Sequence, residues 1–237
     1  MSAFVLVHGA WHGGWCWQKV VARLEAMGHT AVAPDMPGHG TDTMPIEGVT
    51  LDDIVQRVCD TIDEQNEPVV LVGHSYGGAM ITQAAERRAG KIKSLAYVTA
   101  FLLDDGQALM DLAQEDAQSH LGGQVDISDD GVVATVKPEA LRDCFYGECS
   151  DEDFAFAKER LRLEAVAGMR TPMRTSAAEF GRLPRTYIEC LRDNAISIAM
   201  QRRLHGALPC QRVFTLDTDH SPFFSAPDAL AEALGRL

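Results

Sequence analysis

Three residues in this chain could together activate a hydroxyl for attack on a carbonyl. Ser75 lies in Gly73-His74-Ser75-Tyr76-Gly77, His220 in Asp217-Thr218-Asp219-His220-Ser221-Pro222, and Asp193 between them in chain order. A serine hydroxyl is a weak nucleophile at neutral pH unless a base takes its proton and a third group fixes that base. Of the eight histidines, only His220 is expected on a loop after a strand in the C-terminal half. Three aspartates compete for the orienting role. Asp217 and Asp219 are too close in sequence to reach the far side of the His220 ring easily, and Asp219 reads as shaping its own loop. Asp193 follows a separate strand and is the favoured acid.

A second group of residues could receive the charge that such an attack creates. The glycine-rich loop His8-Gly9-Ala10-Trp11-His12-Gly13-Gly14 leaves the first apolar run. Its Ala10 N–H, with the N–H of Tyr76 after the serine, could form an oxyanion hole. Trp11 and His12 read either as loop packing or as substrate-binding walls, and the second reading is carried forward. The loop is not a phosphate cradle, because no Gly-Lys-Ser/Thr follows and the spacing is not Gly-x-Gly-x-x-Gly. No metal-ligand spacing occurs, so neither metal nor cofactor is expected.

These residues need elements to place them. Pro68-Val69-Val70-Leu71-Val72 is a buried-strand run directly before the serine, and Gly78-Ala79-Met80-Ile81 opens a helix directly after it. That strand–turn–helix setting makes the pentapeptide chemically meaningful. Strands are also predicted at Phe4–Val7, Thr30–Ala33, Ile92–Thr99, Thr186–Cys190 and Arg212–Leu216. Helices are predicted at Trp15–Met27, Leu51–Glu64 (capped by Thr50), Ser75–Arg88, Ile196–Leu204 and Pro227–Leu237. The alternation predicts an α/β fold whose mostly parallel central sheet carries helices on both faces. Between about Leu102 and Leu183 the alternation stops. Only two helices are predicted there, near Pro138–Phe145 and Asp151–Val166, the latter capped by Ser150. This stretch reads as an inserted cap (102–183) on a core built from 1–101 and 184–237.

Composition narrows the function classes. The chain has 237 residues, 46% of them hydrophobic, enough for a large core. A formal charge of −13 argues against nucleic acid and anionic membranes as partners. No apolar stretch approaches a membrane span. The scattered cysteines, with Met1 running straight into the first strand, lead to an expectation of reduced thiols in a cytoplasmic protein. Oligomeric state is left open, a homodimer included.

The chain resembles the α/β-hydrolase superfamily, and within it the plant methylesterase and hydroxynitrile-lyase group with its bacterial esterase relatives. The resemblance rests on Val5–Trp17, Val72–Gly78, Tyr187–Ile196 and Thr218–Ser225, and is weakest in the cap. It implies a cofactor-free serine esterase fold with a small helical cap, and its acid loop supports Asp193. The expected reaction is cleavage of esters, or related carbamates or amides, of small apolar molecules. Two other activities share the scaffold: a cyanohydrin lyase and a ligand receptor with a retained triad. The resembling lyases carry a lysine after the histidine, where this chain has Ser221, and favour a hydroxyl where it has Ala10.

Overall fold

The computed structural model describes all 237 residues. Ten helices and nine strands follow in chain order: β1 (Ala3–Val7), α1 (Gln18–Ala26), β2 (Thr30–Val32), α2 (Leu51–Asp63), β3 (Val69–Ser75), α3 (Gly77–Arg88), β4 (Ile92–Ala100), α4 (Leu109–Gln114), β5 (Val125–Ile127), β6 (Val133–Val136), α5 (Leu141–Phe145), α6 (Asp151–Lys158), β7 (Glu164–Ala165), α7 (Val166–Arg170), β8 (Arg185–Cys190), α8 (Ile198–Ala207), β9 (Arg212–Leu216), α9 (Pro222–Ser225) and α10 (Pro227–Gly235).

Six strands form one sheet in the order β2-β1-β3-β4-β8-β9. Every neighbouring pair in it is parallel. Strands covered on both faces need continuous apolar runs, and β1 and the Val69–Val72 stretch of β3 are buried throughout. Helix α1 packs on α10 and α2 on α3. The α2 sequence shows why it stays there: Leu51, Ile54, Val55, Val58, Cys59 and Ile62 bury one face, while Thr50 and Asp53 form a reciprocal capping box.

The strand order reverses direction at β1, which pairs with β2 on one side and β3 on the other. Open parallel sheets bind ligands outside the carboxyl ends of strands at such a switch point. With Val7 opposite Gly73, the glycine-rich loop after β1 and the turn after β3 emerge side by side.

The excursion between β4 and β8 differs from the helical segment expected. It contains a three-stranded antiparallel sheet, β5-β6-β7, beside short helices. Ser150 caps α6 as expected, accepting a hydrogen bond from the Asp153 N–H. The helix ends at Lys158, however, and Glu164–Ala165 pair with Val133–Ala134 of β6. An acidic residue near a helix end reads as a solvated position. Pairing across the sheet buries Glu164 completely instead.

Candidate active site

The turn after β3 is held in a conformation that side chains rarely adopt. Ser75 has φ +54°, in the left-handed region, where a non-glycine residue persists only when its surroundings fix it. Two close approaches make that turn. A Cβ on Gly73 would stand 2.5 Å from the Gly77 carbonyl oxygen, and one on Gly77 would stand 2.7 Å from that of Val7. Only glycine lets strand, turn and α3 come this near. No side chain caps the start of α3, so its first N–H groups and dipole are free to act on negative charge beside Ser75.

His220 follows β9 and is 1% exposed; Asp193 follows β8 and is 5% exposed. The His220 Nδ1–H donates to Asp193 Oδ2 at 2.7 Å. Asp193 Oδ1 accepts from the N–H groups of Ala195 (2.6 Å) and Ile196 (2.8 Å). The Thr99 hydroxyl, at the end of β4, also donates to Oδ2. Four donors thus fix this carboxylate, and the hydrogen bond at Nδ1 leaves Nε2 as the proton-accepting nitrogen. His74, inside the turn, donates from Nε2 to the backbone carbonyl of His220 at 2.7 Å, with the two rings 4.6 Å apart. Burial first, and then the neighbouring His220, push His74 well below the usual imidazole range. His74 is therefore a neutral strut between the serine turn and the histidine loop.

The other two aspartates have different partners. Asp217 is ion-paired with Arg192 at 2.7 Å on the surface. Asp219 accepts from the Ser221 N–H and the Ser225 hydroxyl through Oδ1, and from the Glu148 N–H through Oδ2. It braces its own loop against the excursion.

A cavity of about 560 Å³ opens on Ser75 and is lined also by Ala10, Trp11, Tyr76, Phe101 and Leu109. Its 22 lining residues include 16 hydrophobic ones and no lysine, arginine or histidine. Asp116 is its one carboxylate, and it is occupied by the Ser197 hydroxyl (2.6 Å) and N–H (2.8 Å). The Ala10 and Tyr76 N–H groups donate to no other group of the protein. Both residues line the cavity.

Trp11 lines the cavity, but His12 does not, which corrects the expectation that both form substrate walls. The His12 ring is buried behind the loop, among the rings of Trp15, Phe145 and Phe223. Its Nδ1–H donates to the Ala10 carbonyl at 2.7 Å, and Nε2 accepts from the Tyr146 hydroxyl at 2.7 Å. Burial lowers its pKa to about 4, so it stays neutral. Sequence reasoning missed Thr99, Tyr146 and the bracing role of His74. The signal available for His74 was a polar residue inside a buried turn. Thr99 carried none beyond its place at a strand end.

No group of three or more histidine, cysteine, aspartate or glutamate side chains is arranged to hold a metal ion. No helix is long and apolar enough to cross a membrane.

A sequence profile of the alpha/beta hydrolase family matches residues 4–233. The chain belongs to that family. It is 34% identical to a chloroplastic protein of Arabidopsis thaliana numbered 11 in the methylesterase series, a match covering 98% of this chain and 62% of that one. The chain thus spans less than two thirds of this longer relative. Methylesterase 7 of the same plant is 30% identical, over 98% of this chain and 94% of its own. Among solved structures, a pyrethroid hydrolase from Sphingobium faniae superposes with a TM-score of 0.90 at 29% identity, covering 99% of this chain and 96% of that one. The α/β-hydrolase fold expected from the sequence is thereby established.

Proposed function

We propose that this alpha/beta hydrolase is a serine carboxylesterase acting on neutral, largely apolar esters through an acyl-enzyme. The observation that carries the reading is the buried His220–Asp193 pair, tied through His74 to the turn that presents Ser75 to the cavity. The names of the methylesterase and pyrethroid-hydrolase relatives support it. In this reading Ser75 Oγ attacks the ester carbonyl carbon while His220 Nε2 takes its proton, and Asp193 stabilises the imidazolium. The Ala10 and Tyr76 N–H groups, unused elsewhere in the protein, receive the oxyanion. His220 then returns the proton to the departing alcohol. Water, deprotonated by the same histidine, releases the acid and restores Ser75.

Residues 102–183 act as the cap over the cavity. Their ties to the acid loop support this: the Ser119 hydroxyl donates to the Ala195 carbonyl, and the His120 N–H donates to that of Asn194. The cavity walls set the substrate class. A carboxylate or phosphate on the substrate would lose its hydration with no cation to replace it, so uncharged groups are preferred on both sides of the scissile bond.

The cavity favours ester hydrolysis over cyanohydrin cleavage on the same ground. A departing cyanide anion would have only the transient His220 imidazolium to receive it, since no lysine or arginine lines the cavity. Side-by-side assays check this. The protein should hydrolyse p-nitrophenyl butyrate and discriminate against an ester carrying a free carboxylate. It should release no cyanide from mandelonitrile beyond the uncatalysed rate. Ser75-dependent cyanide release faster than ester hydrolysis would reverse the assignment.

A further inference from the structure

Glu164 carries a fully buried carboxylate, with 0% exposure, and the reaction above does not use it. Burying a carboxylate is costly unless it is paired and hydrogen-bonded. Its Oε1 accepts the Ala165 N–H at 3.1 Å. Its Oε2 accepts the Trp11 N–H at 3.1 Å and lies 3.1 Å from His39 Nε2. The Nδ1–H of His39 donates to the Pro37 carbonyl at 3.1 Å, so a proton on Nε2 as well makes His39 an imidazolium facing a carboxylate. Burial alone would lower the His39 pKa, but the close Glu164 carboxylate outweighs it, and the net shift is upward; the approach is a charge contact and not an aligned hydrogen bond.

Trp11, the residue held by this pair, is itself unusual. Its φ is +63°, a conformation in which a bulky side chain needs external restraint. Besides the bond to Glu164, its carbonyl accepts from the Arg162 N–H at 2.9 Å, and its indole N–H donates to the Ala134 carbonyl at 3.1 Å. The preceding carbonyl, that of Ala10, is held by His12, which Tyr146 holds in turn. The Ala10–Trp11 peptide is gripped at both its C=O and its N–H, and both grips trace to residues between β4 and β8.

We propose that Glu164, charge-matched by His39, is a positioning residue that sets the oxyanion loop from the cap side by holding the Trp11 N–H. The inference rests on the esterase reading, since it assigns a consequence to the aim of the adjacent Ala10 N–H. A charge-assisted bond holds a strained backbone more firmly than a neutral one. It also makes the device sensitive to pH. The groups facing the pair are His8, whose ring lies 5.4 Å from that of His39, the neutral His12, Asp35, and the Tyr76 hydroxyl. Burial, and next the charge of His39, bring the His8 pKa down to about 3, so it is neutral near pH 7. Burial, and next the charge of Glu164, keep Tyr76 protonated well above the usual phenol range. The proton that matters is therefore the one on His39. Because its folded pKa is raised, the pair's contribution is complete below about pH 6.5 and is lost as pH climbs through that raised value.

The test is the rate and stoichiometry with which a fluorophosphonate modifies Ser75 in the intact protein, its Glu164→Ala variant and its Glu164→Gln variant. The Glu164→Ala rate constant should fall about 10–100-fold, as expected for a displaced reacting geometry, with modification still reaching one per chain. With its amide oxygen in the place of Oε2, Glu164→Gln keeps the acceptor for the Trp11 N–H and removes the charge that faces His39, its amide nitrogen taking the Oε1 place beside the Ala165 N–H. It should stay within about 3-fold of the parent at pH 7, a change small beside that displacement. Its rate relative to the parent should rise at alkaline pH, where the parent loses the imidazolium. Equal rate constants for parent and Glu164→Ala would overturn the proposal. So would a loss confined to stoichiometry, the mark of misfolded chains, or a Glu164→Gln rate that tracks the parent at every pH. A parent left unmodified at Ser75 would instead sink the esterase reading, and this inference with it.

Discussion

Replacing Ser75 by alanine is expected to reduce hydrolysis of p-nitrophenyl butyrate by about 10⁴-fold or more, the scale of loss when a triad nucleophile is removed. The residual rate would come from the oxyanion N–H groups and binding alone. The fold should survive. The Ser75 side chain is only half-buried, and its backbone strain is shared equally by alanine, so stability should stay within about 0.5 kcal/mol of the parent. Steady-state rates on protein that retains its parent melting temperature check both halves. Most of the activity remaining in that protein would refute a serine nucleophile. The same variant addresses the receptor alternative, which expects slow turnover in the parent and ligand binding that outlives the substitution.

Asp193→Asn should be almost as damaging, with a loss of about 10³–10⁴-fold in kcat, because the acid works by fixing the tautomer of its partner. The hydrogen bonds explain how. Two backbone N–H groups, from Ala195 and Ile196, already claim Oδ1 and would claim the amide oxygen of asparagine. The amide nitrogen would then face Thr99 and His220, turning Nδ1 of His220 into an acceptor and moving the ring proton to the nitrogen that must take one from Ser75. Asp217→Asn should change kcat by less than about 2-fold, since its partner is the exposed Arg192 and exposed ion pairs contribute little. Asp219→Asn should fall between the two, through its loop. Parallel pH–rate profiles of the three variants separate these outcomes. An active Asp193→Asn beside a crippled Asp219→Asn would move the acid role.

The contrast between residues found and residues missed follows from how each is encoded. The serine turn was legible because an apolar strand, two indispensable glycines and a helix start are all local signals. His220 and Asp193 were legible because each directly follows a strand whose β-branched and aromatic pattern is unmistakable. Thr99 was not, since its relevance depends on the pairing of β4 with β8, a contact between residues 90 apart in sequence. His12 shows the converse. It sits in a loop rich in chemistry, yet tertiary packing against Tyr146 turns its ring behind the loop and away from the cavity. Glu164 was hidden by a wrong period. Extending α6 to Val166 makes it a solvated helical residue, whereas the short β6–β7 pairing carries it into the interior. Short antiparallel strands of two to four residues leave too little alternation to be read from sequence. The parallel sheet, by contrast, needs long buried strands and announces itself.

The central claim is that turnover proceeds through an acyl group on Ser75. A p-nitrophenyl carbamate tests it most directly, because carbamoyl adducts on serine hydrolyse slowly enough to be caught by acid quench. The protein is expected to release one p-nitrophenolate per chain in a rapid burst. The quenched chain should gain the carbamoyl mass on the peptide containing Ser75, and neither burst nor adduct should occur in Ser75→Ala. Sustained release without a covalent adduct, or an adduct mapped to another residue such as Cys149, would contradict the account.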